Sequence, residues 1–297
     1  MKAKLKAHLF TLPRWFAAPF FGSSLLLGAV LAGGLDTNAW IALAAGLLLM
    51  AGGHSWNSFL DYAWTGLDKG ETEDRSAEKD YCGGQNLIEN GTVSVREVAL
   101  NASGWYIASL IPVIYLSIVS SWWILPLAIV GMVVAFWYSW GKFNWTHETS
   151  LAVGTGPVAI LLGMFAVNPN PPVAIGLMAS IPFAIVLCYL GLAFDEWPDA
   201  EANLKKGVKS VAYMVWKYGV SLEWYLSSWL LIMLVYQLFL ITIDVLAPET
   251  ALAFIPATAS IPLMVMLKGD FRKWGGILVA VLALYPVLLL VGQLIGG

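Results

Sequence analysis

Nine long apolar segments constrain the fold of this 297-residue chain more than any other feature. About 20 mainly apolar residues are enough for one helix to cross the hydrocarbon core of a bilayer. In lipid, backbone polar groups must be satisfied within helices or closed barrels. The sequence therefore predicts an all-α polytopic membrane protein with nine transmembrane helices, at about 14–33, 38–64, 95–120, 122–140, 149–168, 172–195, 219–243, 250–267 and 273–295.

The composition agrees with this class. Hydrophobic residues make up 59% of the chain and charged residues 12%, whereas a soluble domain is about half apolar and about a quarter charged. No basic stripe or nucleic-acid-binding motif is visible, so no nucleic-acid partner is expected. Lys2, Lys4 and Lys6 precede the first apolar run, as in a signal peptide. Because many more spans follow, an uncleaved first helix is predicted instead.

The basic residues predict the orientation of the chain. All 16 Lys and Arg residues fall on the side of the N-terminus and of the connections after spans 2, 4, 6 and 8. The positive-inside rule then puts this side in the cytoplasm of a cell-membrane protein. Residues 1–297 are predicted to form a single membrane-embedded domain, with cytoplasmic caps at about 65–94 and 196–218.

Two acidic clusters end apolar segments on that side. The first consists of Asn57 and Asp61, with Asp68 seven residues further on. Residues four apart share one face of a helix, and His54 lies one turn before Asn57 on the same face. Gly66 predicts that the helix ends before Asp68, so Asp68 would reach the site from a loop.

The second cluster consists of Asp195, Asp199 and Asn203, which recur every four residues. Pro198 predicts a bend within it. An apolar helix ending in an acidic cluster thus occurs twice, which indicates two related four-helix halves with one helix added. Membrane proteins often hold a site between such halves.

The clusters offer oxygen ligands, the kind that Mg²⁺ prefers together with substrate phosphates. Facing carboxylates would also repel one another unless cations lay between them. An amphiphile with a diphosphate head and a hydrocarbon tail fits such a site beside an apolar cavity. Mg²⁺ would make the diphosphate a better leaving group, and a dry pocket would protect the allylic carbocation from water. Asp61, Asp68, Asp195 and Asp199 are the predicted metal-binding and catalytic residues.

The paired clusters resemble the two aspartate-rich motifs of the UbiA superfamily of intramembrane prenyltransferases. Gly83-Gly84-Gln85 is similar to the glycine-containing segment after the first motif, and the basic stretch 205–209 to the one after the second. Tyr138-Ser139, with Glu148 ahead of span 5, resembles the loop after the fourth helix. The resemblance covers most of the chain and implies nine helices around a central cavity. It also implies substrate-binding roles for Asn57, Tyr138, Ser139, Lys142 and Asn203.

The chain also departs from the family pattern. Ser58 stands where the family usually has Asp, and Asp195 and Asn203 exchange the usual residue types of the second motif. The loop after helix four is shorter and lacks a Pro-rich run. The wide interval from Asp61 to Asp68 resembles the branch that prenylates 1,4-dihydroxy-2-naphthoate, a precursor of menaquinone.

The resemblance implies Mg²⁺-dependent transfer of a polyprenyl group from its allylic diphosphate to a lipid-soluble acceptor, with release of diphosphate. An aromatic quinone precursor is the predicted acceptor. Non-aromatic acceptors, prenylglycerol phosphate or a carotenoid, stay open. A cation-coupled transporter is the alternative from another class, because buried carboxylates between repeated helices also serve ion translocation. Both clusters lie on one side of the membrane, however, and not at mid-depth.

Overall fold

The computed structural model describes residues 2–69, 87–267 and 270–297, with the side chains of Asp199 and Arg272 outside that description. This part of the chain is helical and contains nine helices long and apolar enough to cross a membrane. We call them spans 1 to 9: Lys2–Ala32, Thr37–Ala63, Val95–Val119, Ile124–Gly141, His147–Val167, Val173–Glu196, Leu222–Thr242, Pro248–Met266 and Lys273–Gly296. The predicted number and order of spans are confirmed.

The first span differs from the prediction at its start. Helical structure begins at Lys2 instead of near residue 14. It runs through a π-helical turn at Ala7–Thr11, and a 3₁₀ turn at Trp15–Ala17 precedes the regular helix. Between the two turns, Arg14 has φ 52°, a left-handed conformation that is uncommon for a residue other than glycine. The chain therefore changes direction at Arg14.

Several spans begin at polar capping residues that can be read from the sequence. Asp36 accepts a hydrogen bond from the Ala39 backbone N–H at the start of span 2. At the start of span 3, Ser94 and Glu97 form a reciprocal capping box. These side chains satisfy backbone N–H groups that have no partner within the first helical turn.

The spans form a closed bundle. Consecutive spans pack against each other, and span 9 packs against span 1. Spans 1 and 5 also pack closely, because a Cβ atom at Gly28 would overlap the Ile160 carbonyl and one at Gly163 would overlap the Leu25 carbonyl. Small residues allow this backbone approach, which replaces the missing hydrophobic driving force between helices in lipid.

Prolines interrupt spans 5 and 6 near the middle of each span. Pro157 lies in a π-helical turn at Gly154–Val158, and Pro182 precedes a longer π-helical stretch at Ile185–Leu192. Pro182 has no N–H for the Met178 carbonyl, which instead accepts a hydrogen bond from the Tyr236 hydroxyl at 3.3 Å. The helix breaks are thus satisfied by neighbouring spans, as a membrane interior requires.

The connections after spans 2, 4 and 6 meet at one end of the bundle. Lys206 donates to the Leu67 carbonyl, and the Lys209 N–H donates to the Lys142 carbonyl at 2.6 Å. Leu67 also packs against Ala200 and Val208 in a small apolar cluster. The two acidic clusters therefore lie on the same side of the bundle, as the distribution of basic residues predicts.

The contact between spans 1 and 5 generates a stability prediction. Gly163→Ala should destabilise the protein by about 1–3 kcal/mol, because the new methyl group overlaps a carbonyl and the helices must separate. Gly104→Ala is the matched control, since a Cβ there meets nothing within 4 Å. Thermal unfolding in detergent, followed by size-exclusion chromatography, measures both variants. Equal midpoints for the two variants would contradict the close packing.

Candidate active site

A cavity opens between six spans and has one polar end. Arg14, His54, Asn57, Tyr138 and Asp195 form the polar end, and leucine, valine, phenylalanine and glycine residues line most of the remainder. Asn57 belongs to the first acidic cluster and Asp195 to the second. The structure thus brings both predicted clusters to a single cavity.

Asn57 and Asp61 share a helix face, as their spacing predicts. The Asn57 amide donates to Asp61 Oδ2 at 3.0 Å and to Ser139 Oγ at 2.9 Å. All three side chains are buried, with Asn57 5% exposed and Asp61 4% exposed. Span 4 therefore orients the first cluster through Ser139.

The Asp61 carboxylate is only half satisfied. Its Oδ2 atom accepts from Lys142 Nζ at 2.5 Å. Its Oδ1 atom is buried and has no hydrogen-bond partner among the described residues. A buried carboxylate oxygen without a donor is costly, so this atom fits a ligand position for a hard cation.

Asp68 follows the end of span 2. The helix ends at Ala63, Gly66 adopts φ 70°, and the Asp68 backbone N–H donates to the Asp61 carbonyl at 3.3 Å. The prediction that Asp68 lies in a loop is confirmed. This turn keeps Asp68 next to the end of the helix that carries Asp61.

Tyr138 and Lys142 lie one turn apart at the end of span 4. Lys142 Nζ is 5.0 Å from the centroid of the Tyr138 ring, within the range of a cation–π contact. Tyr138 also lines the cavity, and its ring meets that of His147 edge to face at 5.6 Å. The lysine charge therefore lies between the first acidic cluster and the polar end of the cavity.

Of the second cluster, Asp195 lines the cavity and Asn203 does not. Asp195 lines the cavity, and Asp199 ends a 3₁₀ turn at Trp197–Asp199 that contains Pro198. The helix is interrupted by this 3₁₀ turn at Pro198, where the sequence predicts a bend, and the Asp199 side chain lies outside the described residues. Asn203 donates to the Tyr213 hydroxyl at 2.6 Å and is not among the residues that line the cavity. The 3₁₀ turn breaks the four-residue period that would have aligned Asn203 with Asp195.

Three buried ionisable side chains lie beside the second cluster. His147 Nε2 shares a hydrogen bond with Glu196 Oε1 at 2.9 Å. His147 Nδ1 is 3.2 Å from Glu148 Oε2, an ion-pair distance, and neither of these two atoms has a hydrogen-bond partner among the described residues. Ser210 donates to Glu196 Oε2 at 2.6 Å, and the Val211 N–H donates to Glu148 Oε1 at 2.7 Å. Sequence reasoning assigned Glu196 no role, because its partners come from segments far apart in the chain.

Arg14 is a further cavity residue that the sequence analysis treated only as a topology signal. Its guanidinium donates to Ser58 Oγ at 3.3 Å, and its buried Nε atom has no hydrogen-bond partner among the described residues. Ser58 is the residue that departs from the aspartate-rich motif that the first cluster resembles. A positive charge therefore lies beside the position where that motif has an acid.

His54 lines the same polar end, on the helix face that its spacing predicts. Phe16 and Phe21 lie near its ring, with ring centroids 6.4 Å away in each case. Its Nε2 atom is buried and has no partner among the described residues. His54 thus offers the cavity a polar atom with no competing contact.

The apolar part of the cavity is deep. Along span 2 it extends from Asn57 to Leu43, a helical distance of about 21 Å at 1.5 Å per residue. Gly22, Gly46, Gly131 and Gly154 are among its lining residues, and Gly46 allows spans 1 and 2 to approach, since a Cβ atom there would lie 2.7 Å from the Leu25 side chain. The site can therefore hold an anionic headgroup at one end and a long hydrocarbon chain along its length.

The fold matches that of solved UbiA homologues. The apo structure of a homologue from Aeropyrum pernix K1 has a TM-score of 0.68 at 14% identity, covering 95% of this chain and 97% of that one. A digeranylgeranylglyceryl phosphate synthase has a TM-score of 0.59 at 16% identity, covering 99% of each chain. A homologue from Archaeoglobus fulgidus bound to GPP and Mg²⁺ has 0.58 at 16% identity, covering 97% of this chain and 99% of that one.

No protein-family model matches the sequence, and no curated protein matches it. At 14–16% identity the structural likeness establishes the fold alone. The predicted architecture, nine helices around a central cavity, is thereby confirmed.

Proposed function

We propose that this protein is a UbiA-type prenyltransferase that transfers a polyprenyl group from its allylic diphosphate to a lipid-soluble acceptor. One observation carries the proposal: Asn57 and Asp195, from the two acidic clusters, line the polar end of one deep apolar cavity. Solved structures of the same fold bound to GPP and Mg²⁺ or to DMAPP and Mg²⁺ support this substrate class. We place the N-terminus and the acidic end on the cytoplasmic side of the cell membrane, because every basic residue lies there.

The residues present fit Mg²⁺ as the cofactor. The buried Oδ1 atom of Asp61 has no partner among the described residues, and carboxylates are ligands that Mg²⁺ prefers. Asp61, Asp68, Asp195 and Asp199 would hold the ion. When bound, it neutralises the diphosphate and improves it as a leaving group.

The protein's own residues orient the diphosphate and compensate its charge. Lys142 Nζ already lies 2.5 Å from Asp61 Oδ2, so its ammonium group is close to any phosphate held at that carboxylate. Asn57 and Ser139 fix the rotamer of Asp61 through their hydrogen bonds. Such preorganised partners keep the reacting headgroup in a single geometry.

The apolar walls protect the allylic cation that forms when the C–O bond breaks. Tyr138 and Phe16 line the polar end next to the point of cleavage. Aromatic faces stabilise cations without reacting with them, and the exclusion of water prevents hydrolysis of the prenyl group. His54, with a buried and unpartnered Nε2, is positioned to take the proton that the acceptor releases.

We propose that the acceptor carries an anionic group held by Arg14. The partly buried Arg14 side chain lines the cavity, and its buried Nε atom has no hydrogen-bond partner within the described part of the chain. The interval from Asp61 to Asp68 favours the dihydroxynaphthoate-like branch of quinone biosynthesis, and the acceptor of that branch carries a carboxylate group. The likeness to a digeranylgeranylglyceryl phosphate synthase favours a prenylglycerol phosphate as the acceptor, and its anionic group is a phosphate. Both acceptors provide the anion that Arg14 requires.

The catalytic assignment predicts the loss of turnover in two variants. Asp61→Asn and Asp195→Asn should each lower kcat more than about 100-fold, since even outer-shell partners of metal ligands are worth 10- to 100-fold. Release of diphosphate from labelled geranylgeranyl diphosphate, assayed with Mg²⁺ and several acceptors, measures this. Glu201→Gln is the control, because Glu201 is exposed and pairs with Lys205 at 2.8 Å. Full activity of either Asp variant would remove that cluster from the mechanism, and an inactive wild type would contradict the function.

The cavity shape predicts control of tail length at Gly131. This residue lines the cavity seven positions before Tyr138, a helical distance of about 10 Å. Gly131→Phe should lower kcat/KM for geranylgeranyl diphosphate at least about tenfold while leaving dimethylallyl diphosphate within about twofold, because the new ring fills the deeper part only. Gly104→Phe, on span 3 with open space around it, serves as the control. An equal loss for both donors would contradict tail binding along this wall.

Arg14 predicts a selective effect on the acceptor. Arg14→Gln should raise the acceptor KM about 10- to 100-fold, because a hydrogen bond to a charged group is worth about 1.5–3 kcal/mol. The KM for the prenyl diphosphate should change less than about threefold. Arg96→Gln is the control, since Arg96 is exposed at the start of span 3. A rise confined to the diphosphate KM would instead assign Arg14 to the donor.

A further inference from the structure

The buried group formed by His147, Glu148 and Glu196 lies outside the cavity but next to it. None of the three lines the cavity, and all three are buried, with His147 0% exposed. The group joins the start of span 5 to the end of span 6. Buried charges are costly unless they are paired, so their retention beside an acidic cluster calls for a physical reason.

We propose that His147 is a positioning residue: by bridging Glu148 and Glu196, it fixes the rotation of the end of span 6 so that Asp195 faces the cavity. The inference rests on the proposed function, because it assigns Asp195 to the reacting site. His147 itself does not line the cavity. It acts through Glu196.

The helix geometry at the end of span 6 supports this role. Asp195 and Glu196 are consecutive residues of the helix Ala193–Glu196, and consecutive side chains of an α-helix point about 100° apart. Glu196 is held by His147 on one side and by Ser210 on the other. With Glu196 fixed in the bundle, Asp195 is turned toward the cavity.

The hydrogen bonds of the two glutamates make the ring the central part of the bridge. Their outer oxygens already accept from Ser210 and from the Val211 N–H. The inner oxygen of Glu196 is hydrogen-bonded to His147 Nε2 at 2.9 Å, and the inner oxygen of Glu148 lies 3.2 Å from Nδ1 in an ion-pair contact without a hydrogen bond. Without the imidazole, two buried carboxylates would face each other with no donor between them, and their repulsion would displace the end of span 6.

The connection between spans 4 and 5 contacts the first acidic cluster at its start and reaches His147 at its end. This connection, residues 142–146, starts at Lys142, whose Nζ contacts Asp61, and leads directly to His147. The connection is tightly folded, because a Cβ atom at Gly141 would lie 2.6 Å from the backbone nitrogen of His147. One short connection therefore contacts Asp61 at one end and the Asp195 helix at the other, and it sets the relative position of the two clusters.

The same three residues could in principle hold one metal ion, since one ligand atom from each lies within 4.8 Å of the others. The two ring nitrogens, however, face different carboxylates. A single ion takes only one nitrogen of an imidazole, so the geometry favours a bridge between two acids over a metal centre.

Mn²⁺ binding tests the inference without requiring turnover. Purified full-length protein is titrated with Mn²⁺ in the presence of inorganic diphosphate and followed by electron paramagnetic resonance. His147→Gln and Glu196→Gln should each raise the dissociation constant of Mn²⁺ at least about tenfold. In the transfer assay, the Mg²⁺ concentration for half-maximal rate should rise by the same factor, while the acceptor KM stays within about twofold. Glu201→Gln, in the same segment, should bind Mn²⁺ like the wild type.

The constants separate positioning from a folding defect. A variant that only folds poorly has fewer active molecules but unchanged constants, and this result would overturn the proposal. In the double variant with His147→Gln and Glu196→Gln, the Glu196 carboxylate that His147→Gln would leave unpaired is absent. The dissociation constant of Mn²⁺ should therefore rise by less than the product of the two single increases. Strict multiplication of the two effects would also overturn it, as would a stoichiometric metal ion present in the wild type and lost in His147→Gln.

The same experiments distinguish this inference from the proposed function. A wild type that binds Mn²⁺ with diphosphate but transfers no prenyl group would contradict the proposed function, and the His147→Gln binding constant would still decide the inference. A wild type that transfers, together with a His147→Gln protein that binds Mn²⁺ normally, would contradict the inference alone.

Discussion

Compensation of buried acidic charge is the constraint on which the site depends. Asp61 is 4% exposed and relies on Lys142 Nζ at 2.5 Å, because a buried carboxylate without a cation is strongly destabilising. Glu196 is buried to a similar degree and relies on His147. Both compensating groups belong to the short segment 142–147 between spans 4 and 5. This segment therefore helps acidic groups of spans 2 and 6 to lie at the same end of the bundle, because it supplies a positive or donor group to each.

The bilayer limits where such groups can lie. Lipid provides no partner for backbone or side-chain polar atoms, so the spans are helical, and their breaks are satisfied internally, as at Met178 and Tyr236. The acids are confined to helix ends, where Ser210 and the Val211 N–H provide donors. Deeper in the bundle the cavity is lined by apolar residues. The buried polar atoms without partners among the described residues, Asp61 Oδ1, Arg14 Nε and His54 Nε2, belong to its polar end or to the acidic cluster beside it, where a ligand can satisfy them.

Much of this architecture could be predicted from the sequence, because it depends on local signals. The lengths of the apolar segments predicted the nine spans, and the positions of the basic residues predicted which span ends lie on the same side. The four-residue spacing predicted that Asn57 and Asp61 share one helix face. The roles of Arg14 and of His147 with Glu196 could not be predicted, since their partners lie more than 40 residues away in the chain. Asn203 does not line the cavity beside Asp195, because the 3₁₀ turn at Pro198 shifts the helical phase, and its role in substrate binding stays a prediction. The relation between the two halves stays a prediction.

The charge at the polar end of the cavity bears on the acceptor. Where the family pattern has an acid in the first motif, this chain has Ser58, and the Arg14 guanidinium donates to that serine at 3.3 Å. Relative to the pattern that the first motif resembles, the local charge is thus more positive by one, for the missing carboxylate. In a low-dielectric cavity this difference is large compared with the same exchange at a surface. Under the proposed function, a positive charge at this end of the cavity favours an acceptor that carries a carboxylate or a phosphate over a neutral acceptor such as a carotenoid, because the anion would pair with Arg14.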